Sequence, residues 1–257
     1  QDGSLLSKSL IQQGLQVYGS HRKTDKNSLN LNKLGIEAKI KLMTVDIQKY
    51  NDVVEAIDYS STDEIYCLAA QSSVGNSFKN PLDTIKSNTL GTLNILEACR
   101  ALNYQGRIFF AGSSEIFGHQ VSPIDLESTM NPKSPYAISK HASQNLVTLY
   151  RESYDLKAIT GILFNHESQY RDQRFITQKI IMGAIRSHYD KNYTLKIGNI
   201  NIERDWGWAE EYVEAMQLMN RSNEPKDQII CTGKLTTLMR FIEITFMKLN
   251  LNWEDHI

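Results

Sequence analysis

The residues with the clearest chemical potential are Tyr136 and Lys140, set four apart in the run Tyr136-Ala137-Ile138-Ser139-Lys140. Side chains at that spacing share one face of a helix. An ammonium beside a phenol favours the tyrosinate and draws its pKa down from ~10 toward the working range. Such a phenolate can take the proton of an alcohol while hydride leaves the same carbon. The bland alternative is a solvent-facing pair, and spacing alone does not separate the two. The segment upstream favours chemistry: the apolar run Arg107 to Ala111 leads into Gly112-Ser113-Ser114-Glu115. The Ser113 hydroxyl can share the alcohol's hydrogen bond. If strand alternation continues, Ser113 and Glu115 project to one side of the sheet's C-terminal edge, where open α/β sheets bind ligands. A carboxylate there can remove a proton from a carbon that a neighbouring carbonyl has acidified. Its alternative is an ion-paired glutamate at a strand end.

These groups need a sheet to carry them. Leu5, Leu6, Leu10 and Ile11 form one apolar stripe ending at Gly14, which predicts a helix. A short strand follows over Leu15 to Gly19. The stretch Lys39 to Asp46 alternates around Ile40, Leu42 and Val45 and predicts a second strand, and Tyr50, Val53, Val54 and Ile57 predict a helix after it. The near-continuous apolar run Glu64 to Ala70 reads as a strand buried on both faces. A long helix is expected from Pro81 to Leu102 with Leu90, Leu93, Ile95, Leu96 and Cys99 inward, then strands at Arg107 to Ala111 and Ala158 to Phe164. Alternating strands and helices imply an α/β fold, a doubly wound parallel sheet of the Rossmann type. Residues 1–164 form the dinucleotide-binding part in this reading, and residues 165–257, where the pattern loosens, a smaller C-terminal substrate-binding lobe. Such a sheet starts with a strand ahead of the first helix. None is seen, so the chain reads as a fragment.

The ends of the expected strands carry the dinucleotide signals. Gly3 opens the first helix and lets its backbone and positive dipole approach a pyrophosphate. Arg22 and Lys23 follow the first strand, where a basic pair accommodates a ribose 2′-phosphate and favours NADP over NAD. Asp46 can accept from an adenine amino group, or simply cap a helix. Leu68-Ala69-Ala70-Gln71-Ser72 ends the apolar run with small residues where backbone must approach a ligand.

Composition narrows the remaining classes. A net charge of −1 gives no footprint for nucleic acid or an anionic membrane surface. No apolar run approaches the ~20 residues that span a bilayer. Cys67, Cys99 and Cys231 are scattered without metal-ligand spacing, so no metal is expected, and they read as buried thiols of a reducing cytosol.

Several segments go further. Gln1-Asp2-Gly3-Ser4, Leu68 to Ser72, Lys133-Ser134-Pro135-Tyr136, the run Gly161 to Ser168, Arg204-Asp205-Trp206-Gly207 and Glu211 to Met216 together resemble the extended short-chain dehydrogenases/reductases. Within them they resemble the GDP-mannose 4,6-dehydratases. The resemblance covers essentially the whole chain and implies that a first strand and a C-terminal segment are missing. It implies catalytic roles for Ser113, Glu115 and Tyr136, with Lys140 activating the tyrosine. It places Gln1, Asp2, Arg22, Asp46, Ile47, Leu68, Ala69, Ala70, Gln71, Ser72, His166 and Arg171 at cofactor-binding positions. Asn165, Lys179 and Arg204 fall toward the nucleotide-sugar diphosphate. For His166 the residues alone favour a structural histidine. The resemblance further implies NADP as cofactor, GDP-mannose as substrate, GDP-4-keto-6-deoxymannose as product, a homo-oligomer (dimer or tetramer) and a cytoplasmic setting. The chain departs from the family pattern with Ser113 for a frequent Thr, Gln169-Tyr170-Arg171-Asp172 for Pro-Arg-Arg-Gly, and Glu203 for a common Lys.

Three alternatives are weighed at this point. A nucleotide-sugar 4-epimerase or reductase of the same fold needs the Tyr–Lys pair but no base such as Glu115. A dehydratase of the dTDP-glucose type calls for an Asp-Glu pair, and Ser114 stands at the acid's position. A non-catalytic dinucleotide-binding protein has no use for Ser113, Glu115, Tyr136 and Lys140 together. Weak dinucleotide binding is expected of residues 1–257 alone, because a phosphate-loop strand is absent.

Overall fold

Strands and helices alternate from the start of the chain, each helix carrying the backbone back to begin the next strand in the same sense. The computed structural model describes residues 1–22, 29–119 and 123–257. Lys23 lies outside the described residues. The chain divides into two compact units: a larger one of residues 2–163 and 210–230, and a smaller one of Gln1, 164–209 and 231–257.

In the larger unit, helix α1 (Asp2–Gln12) buries Leu5 and Leu6 and stops where Gly14 takes a positive φ of 80°. Then come β1 (Val17–His21), α2 (Leu29–Lys33), β2 (Ile40–Thr44), α3 (Tyr50–Ser60) and β3 (Glu64–Cys67). The expected long helix is present in pieces: α4 (Val74–Lys79), α5 (Pro81–Ile85), a π turn over Lys86–Leu90, and α6 (Gly91–Ala101). Strand β4 (Arg107–Ala111) falls where the sequence predicts it, and α7 (Pro135–Tyr154) and β5 (Lys157–Leu163) follow.

The sheet has helices on both faces, and strand alternation explains how. Ile108 and Phe110 of β4 point into a cluster with Leu96 and Cys99 of α6 and Val147 and Tyr150 of α7. Phe109, between them, points the other way against Ile159, Tyr212, Met216 and Met219. Gly161 of β5 lies under the Phe109 ring, where an added Cβ would stand 2.5 Å from the ring edge, so this position admits no side chain without displacing the ring.

Two expectations need correction here. Leu90 is not inward but 39% exposed: at about 100° per residue it stands half a turn out of phase with Cys99, which is fully buried together with Leu96. Strand β3 is not buried on both faces: all four of its residues are only partly covered. The cause is topological. The strands form one pair, β1-β2, and a separate sheet whose order begins β3-β4-β5, all parallel, and among the described residues no strand is hydrogen-bonded between β1 and β3. The thiols also differ from expectation: Cys99 is buried, Cys67 partly so, and Cys231 is exposed.

In the smaller unit, β6 (Asn165–Glu167) is followed by α8 (Ile176–Tyr189) and β7 (Glu203–Trp208). The chain then supplies α9 (Ala209–Asn220) and β8 (Gln228–Ile230), and β8 pairs with β5 at the far edge of the larger unit's sheet. It returns as β9 (Leu235–Thr237) and α10 (Leu238–Met247). β6 pairs in parallel with β7, and β9 runs antiparallel to β7. Ile180, Ala184, Leu195, Leu238, Ile242 and Phe246 form the core of this unit. Buried Asp205 accepts hydrogen bonds from the Thr232 and Gly233 amides and so clamps the turn between β8 and β9.

Candidate active site

The first turn of α7 carries the two residues that opened the sequence argument. Ser134 caps the helix, its hydroxyl accepting from the Ala137 amide at 3.0 Å, and Pro135 takes the first helical position. Tyr136 and Lys140 then fall on one face, both buried at 8% exposure, with the lysine Nζ 5.9 Å from the phenol ring centre. Lys140 donates from Nζ to the Ala111 carbonyl at 2.8 Å, which ties α7 to the C-terminal end of β4. Burial draws its ammonium down to about 8 from the ordinary 10.5, against a weaker opposing effect of the Cys67 thiol. The amine shares a small cavity, with room for about one water molecule, with Cys67, Ala69, Ala70, Gln144 and Thr160.

Ser113 and Glu115 reach the same strand end by a route the sequence did not suggest. β4 stops at Ala111, and Ser113 is not a strand residue but the cap of a short 3-10 turn, Ser114–Phe117. Its hydroxyl accepts from the Glu115 amide at 3.3 Å, so capping, not strand alternation, sets where Glu115 sits. Ile116 and Phe117 anchor the turn in the core against Ile162. Gly118 closes it at φ 64°, and a Cβ there would fall 2.3 Å from the Asn131 carbonyl oxygen. Ser113 is buried and Glu115 partly exposed.

One organising residue escaped the sequence reading. Asn88, on the π turn and 3% exposed, uses its side-chain amide fully. Its Oδ1 accepts from the Gln71 amide at 2.9 Å and the Ser87 hydroxyl at 3.1 Å. Its Nδ2 donates to the Gln71 carbonyl at 3.1 Å and to Ser139 Oγ at 2.9 Å. Asn88 thereby fixes the Leu68 to Ser72 loop against the Tyr136-to-Lys140 turn. The available signal was polarity out of place: Ser87, Asn88 and Thr92 lie on the buried side of a segment expected to be apolar there. Asn88→Ala would leave backbone groups of Gln71 without partners, so a loss of about 2–4 kcal/mol is expected in chemical denaturation. Unchanged stability would show that the loop is held by other means.

The remaining cofactor candidates in the larger unit lie at the ends of their strands. Asp2 and Gly3 form the first turn of α1, and nothing lies within 4 Å of where a Gly3 Cβ would be. Arg22 follows β1 and is partly buried. Asp46 accepts from the Gln48 amide at 3.1 Å, a local turn. Ile47 is buried against Gly91, and its carbonyl accepts from Asn94 Nδ2 at 2.9 Å. Leu68 and Ala70 are partly buried, and Ala69 and Ser72 are exposed.

The smaller unit holds the others. Gln1 donates from Nε2 to the His166 carbonyl at 2.9 Å, and its Oε1 accepts from Ser168 Oγ at 2.8 Å. The buried His166 ring sets Nδ1 2.8 Å from the Phe164 carbonyl oxygen, beside Asn165 on β6. Arg171 stacks over Phe175 at 3.7 Å, with Nε 3.5 Å from a Glu167 carboxylate oxygen. Lys179 donates to the Lys196 carbonyl at 2.8 Å, and Arg204 to the Glu203 carbonyl at 2.8 Å.

Comparison with known proteins adds what geometry leaves open. Residues 1–257 match the family described as GDP-mannose 4,6 dehydratase. The chain belongs to that family. GDP-mannose 4,6 dehydratase 1 of Arabidopsis thaliana is 38% identical, over 100% of this chain and 74% of that protein. The human GDP-mannose 4,6 dehydratase is 34% identical, over 99% of this chain and 72% of that protein. Among solved structures, the UDP-glucose 4-epimerase of Thermus thermophilus in complex with NAD superposes with a TM-score of 0.85 at 24% identity, over 98% of this chain and 81% of that one. The dTDP-glucose 4,6-dehydratase of Streptomyces venezuelae does so at 0.88 and 19%, over 99% and 80%. These likenesses establish the Rossmann-type fold that this dehydratase-family chain shares with them. Among the described residues, no helix is long and apolar enough to cross a membrane.

Proposed function

We infer that this chain serves a nucleotide-sugar 4,6-dehydratase, a hydro-lyase converting GDP-mannose to GDP-4-keto-6-deoxymannose with NADP as its dinucleotide. The observation that carries the reading is the convergence on one strand end of Ser113, Glu115 and the buried Tyr136–Lys140 turn. The donor set suits a dinucleotide. The first turn of α1 is open at Gly3, Arg22 follows β1, small residues follow β3, and the Lys140 amine lies beside that loop. Arg22 supports the choice of NADP, as a cation for a 2′-phosphate. Asp2, Asp46, Ile47 and the Leu68 to Ser72 loop would line the same ligand, and Gln1, His166 and Arg171 are the cofactor candidates that the smaller unit carries by itself. Asn165, Lys179 and Arg204 supply the amide and cationic donors that a sugar diphosphate requires.

A bound nicotinamide dinucleotide supplies a hydride acceptor for the sugar C4 and a hydride donor for C6. Tyr136 takes the C4 hydroxyl proton, and Ser113 holds the same oxygen by hydrogen bonding. With C4 a ketone, the C5 proton is acidic, and Glu115 removes it as the C6 hydroxyl departs with a proton as water. A proton returned to C5 completes the product, so one water is lost and no net reduction occurs.

A homo-oligomer is supported by apolar side chains left outward on neighbouring helices, Leu82 and Ile85 of α5 with Ile138 and Leu149 of α7. Unpaired thiols suit a reducing cytoplasm. The deciding measurement incubates the natural polypeptide that carries this sequence with GDP-mannose and catalytic NADP⁺. Mass spectrometry should show loss of one water with the cofactor still oxidised. An altered stereochemistry at unchanged mass would make it an epimerase, and unaltered GDP-mannose would overturn the substrate assignment.

A further inference from the structure

The cavity beside the Lys140 amine measures about 20 Å³, enough for one water molecule. Two of the oxygens that belong to its lining are out of place in a core. Thr160 of β5 is 1% exposed and lies on the face of the strand that Ala158 turns toward the α6–α7 cluster, while Ile159 between them faces the other way. Gln144 follows Lys140 by one turn of α7, on the same helix face. Thr160 Oγ1 and Gln144 Oε1 are both closed to solvent, and among the described residues neither has a hydrogen-bonding partner. An unmet buried oxygen is costly, and valine would occupy the place of Thr160 in a strand without that cost. The Lys140 amine gives one N–H to the Ala111 carbonyl at 2.8 Å and has two more to give.

We propose that Thr160 and Gln144 are positioning residues for Lys140, acting through one buried water that they hold in this cavity. The water accepts an N–H of the amine and donates its two hydrogens to Gln144 Oε1 and Thr160 Oγ1. Three hydrogen bonds are the usual complement of an internal water, and the donor-only amine and the two acceptor oxygens are all met. A lone pair aimed at the amine favours its charged form and works against the burial that disfavours it. The other titratable group around the cavity is Cys67 of β3, which burial keeps a neutral thiol. Tyr136 lies one turn ahead of the amine on α7, and Glu115 stands on the turn after β4. α6, the π turn, β4 and β5 line the cavity with uncharged residues. The link from the amine to Tyr136 rests on the dehydratase reading, whereas the water and its two oxygens stand without it.

The test uses the natural polypeptide that carries this sequence, free of cofactor and substrate, with isotope-labelled lysine followed by NMR. The Lys140 signal is assigned by its loss in Lys140→Met. Thr160→Val and Gln144→Met keep the approximate shape of each side chain and remove its oxygen. Each should lower the titration midpoint of the Lys140 amine by about one pH unit, as a hydrogen bond to a charged group is lost. Thr160→Ser retains the hydroxyl and should leave the midpoint where the parent has it. A high-resolution crystal structure should show the water in the parent and its loss in Thr160→Val. Unchanged midpoints in both oxygen-deleting variants would overturn the proposal. So would a dry cavity in which Gln144 Nε2 donates directly to Thr160 Oγ1. Neither readout uses GDP-mannose, so failure of the substrate assignment would leave both intact.

Discussion

Glu115→Gln in the natural polypeptide should stop water loss and leave the first oxidation running. The amide keeps the size of the side chain but cannot accept the C5 proton. Turnover to the 4-keto-6-deoxy product is expected to fall by 10³-fold or more, within the range for removing a general base on carbon. Tyr136, Ser113 and Lys140 are untouched, so the C4 hydroxyl is still oxidised. Reduced nicotinamide should then accumulate to at most one equivalent per site, and deuterium from solvent should not enter C5. The turn that carries residue 115 is held by the Ser113 cap and by Ile116 and Phe117, none of which depends on the carboxylate. Folding should therefore be unchanged. A variant that still makes product at the parental rate would remove Glu115 from the mechanism.

Lys140→Met should separate stability from activity. The buried amine is held at about 8 against its ordinary 10.5 because burial penalises the charged form. Between those values the unfolded chain carries a proton that the folded chain has shed. Stability therefore rises with pH across that window and sits at its lower, flat level below it. At pH 7 the native protein bears the full penalty, bounded at about 3 kcal/mol at ~1.4 kcal/mol per pH unit. Methionine removes it and forfeits the bond to the Ala111 carbonyl, worth about 1 kcal/mol. The cofactor-free variant should thus be more stable by about 1–2 kcal/mol in urea at pH 7. The gain should shrink when the titration is repeated near pH 10. Activity should fall 10²- to 10⁴-fold, since the tyrosine loses its neighbouring cation. A variant less stable than the parent at pH 7 would mean that the amine is stabilising in its present place.

What the sequence made legible was whatever rests on a repeating pattern. β4 could be read to the residue because its apolar run is bounded by Gly106 and Gly112, and the Tyr136–Lys140 face follows from helical spacing alone. Glu115 was found as a chemical group but placed by the wrong rule. The Ser113 cap begins a 3-10 turn where the alternation of β4 ends, and a serine after a strand looks the same in either case. Asn88 was missed because its value lies in four hydrogen bonds to three residues, two of them, Gln71 and Ser139, distant in sequence and the third, Ser87, beside it on an irregular turn. The pairing of β8 with β5 was equally hidden, since three residues, Gln228–Ile230, carry too little pattern to announce a strand. The exposure of β3 reflects its neighbours, which no local pattern records.

The π turn at Lys86–Leu90 makes the α5–α6 segment sensitive to length in a way that composition would not reveal. A π turn holds one residue more than the α-helical turn it replaces. Losing a single residue there would leave an ordinary α-helical turn of nearly the same rotation, so α5 and α6 would keep their relation and Thr84 would stay beside Gln71 while Asn88 lost its aim at Ser139. A single-codon deletion within this short window should therefore spare the packing of both helices and remove the Asn88 contacts, whereas a deletion in α5 or α6 outside it would turn one helix by about 100° against the other.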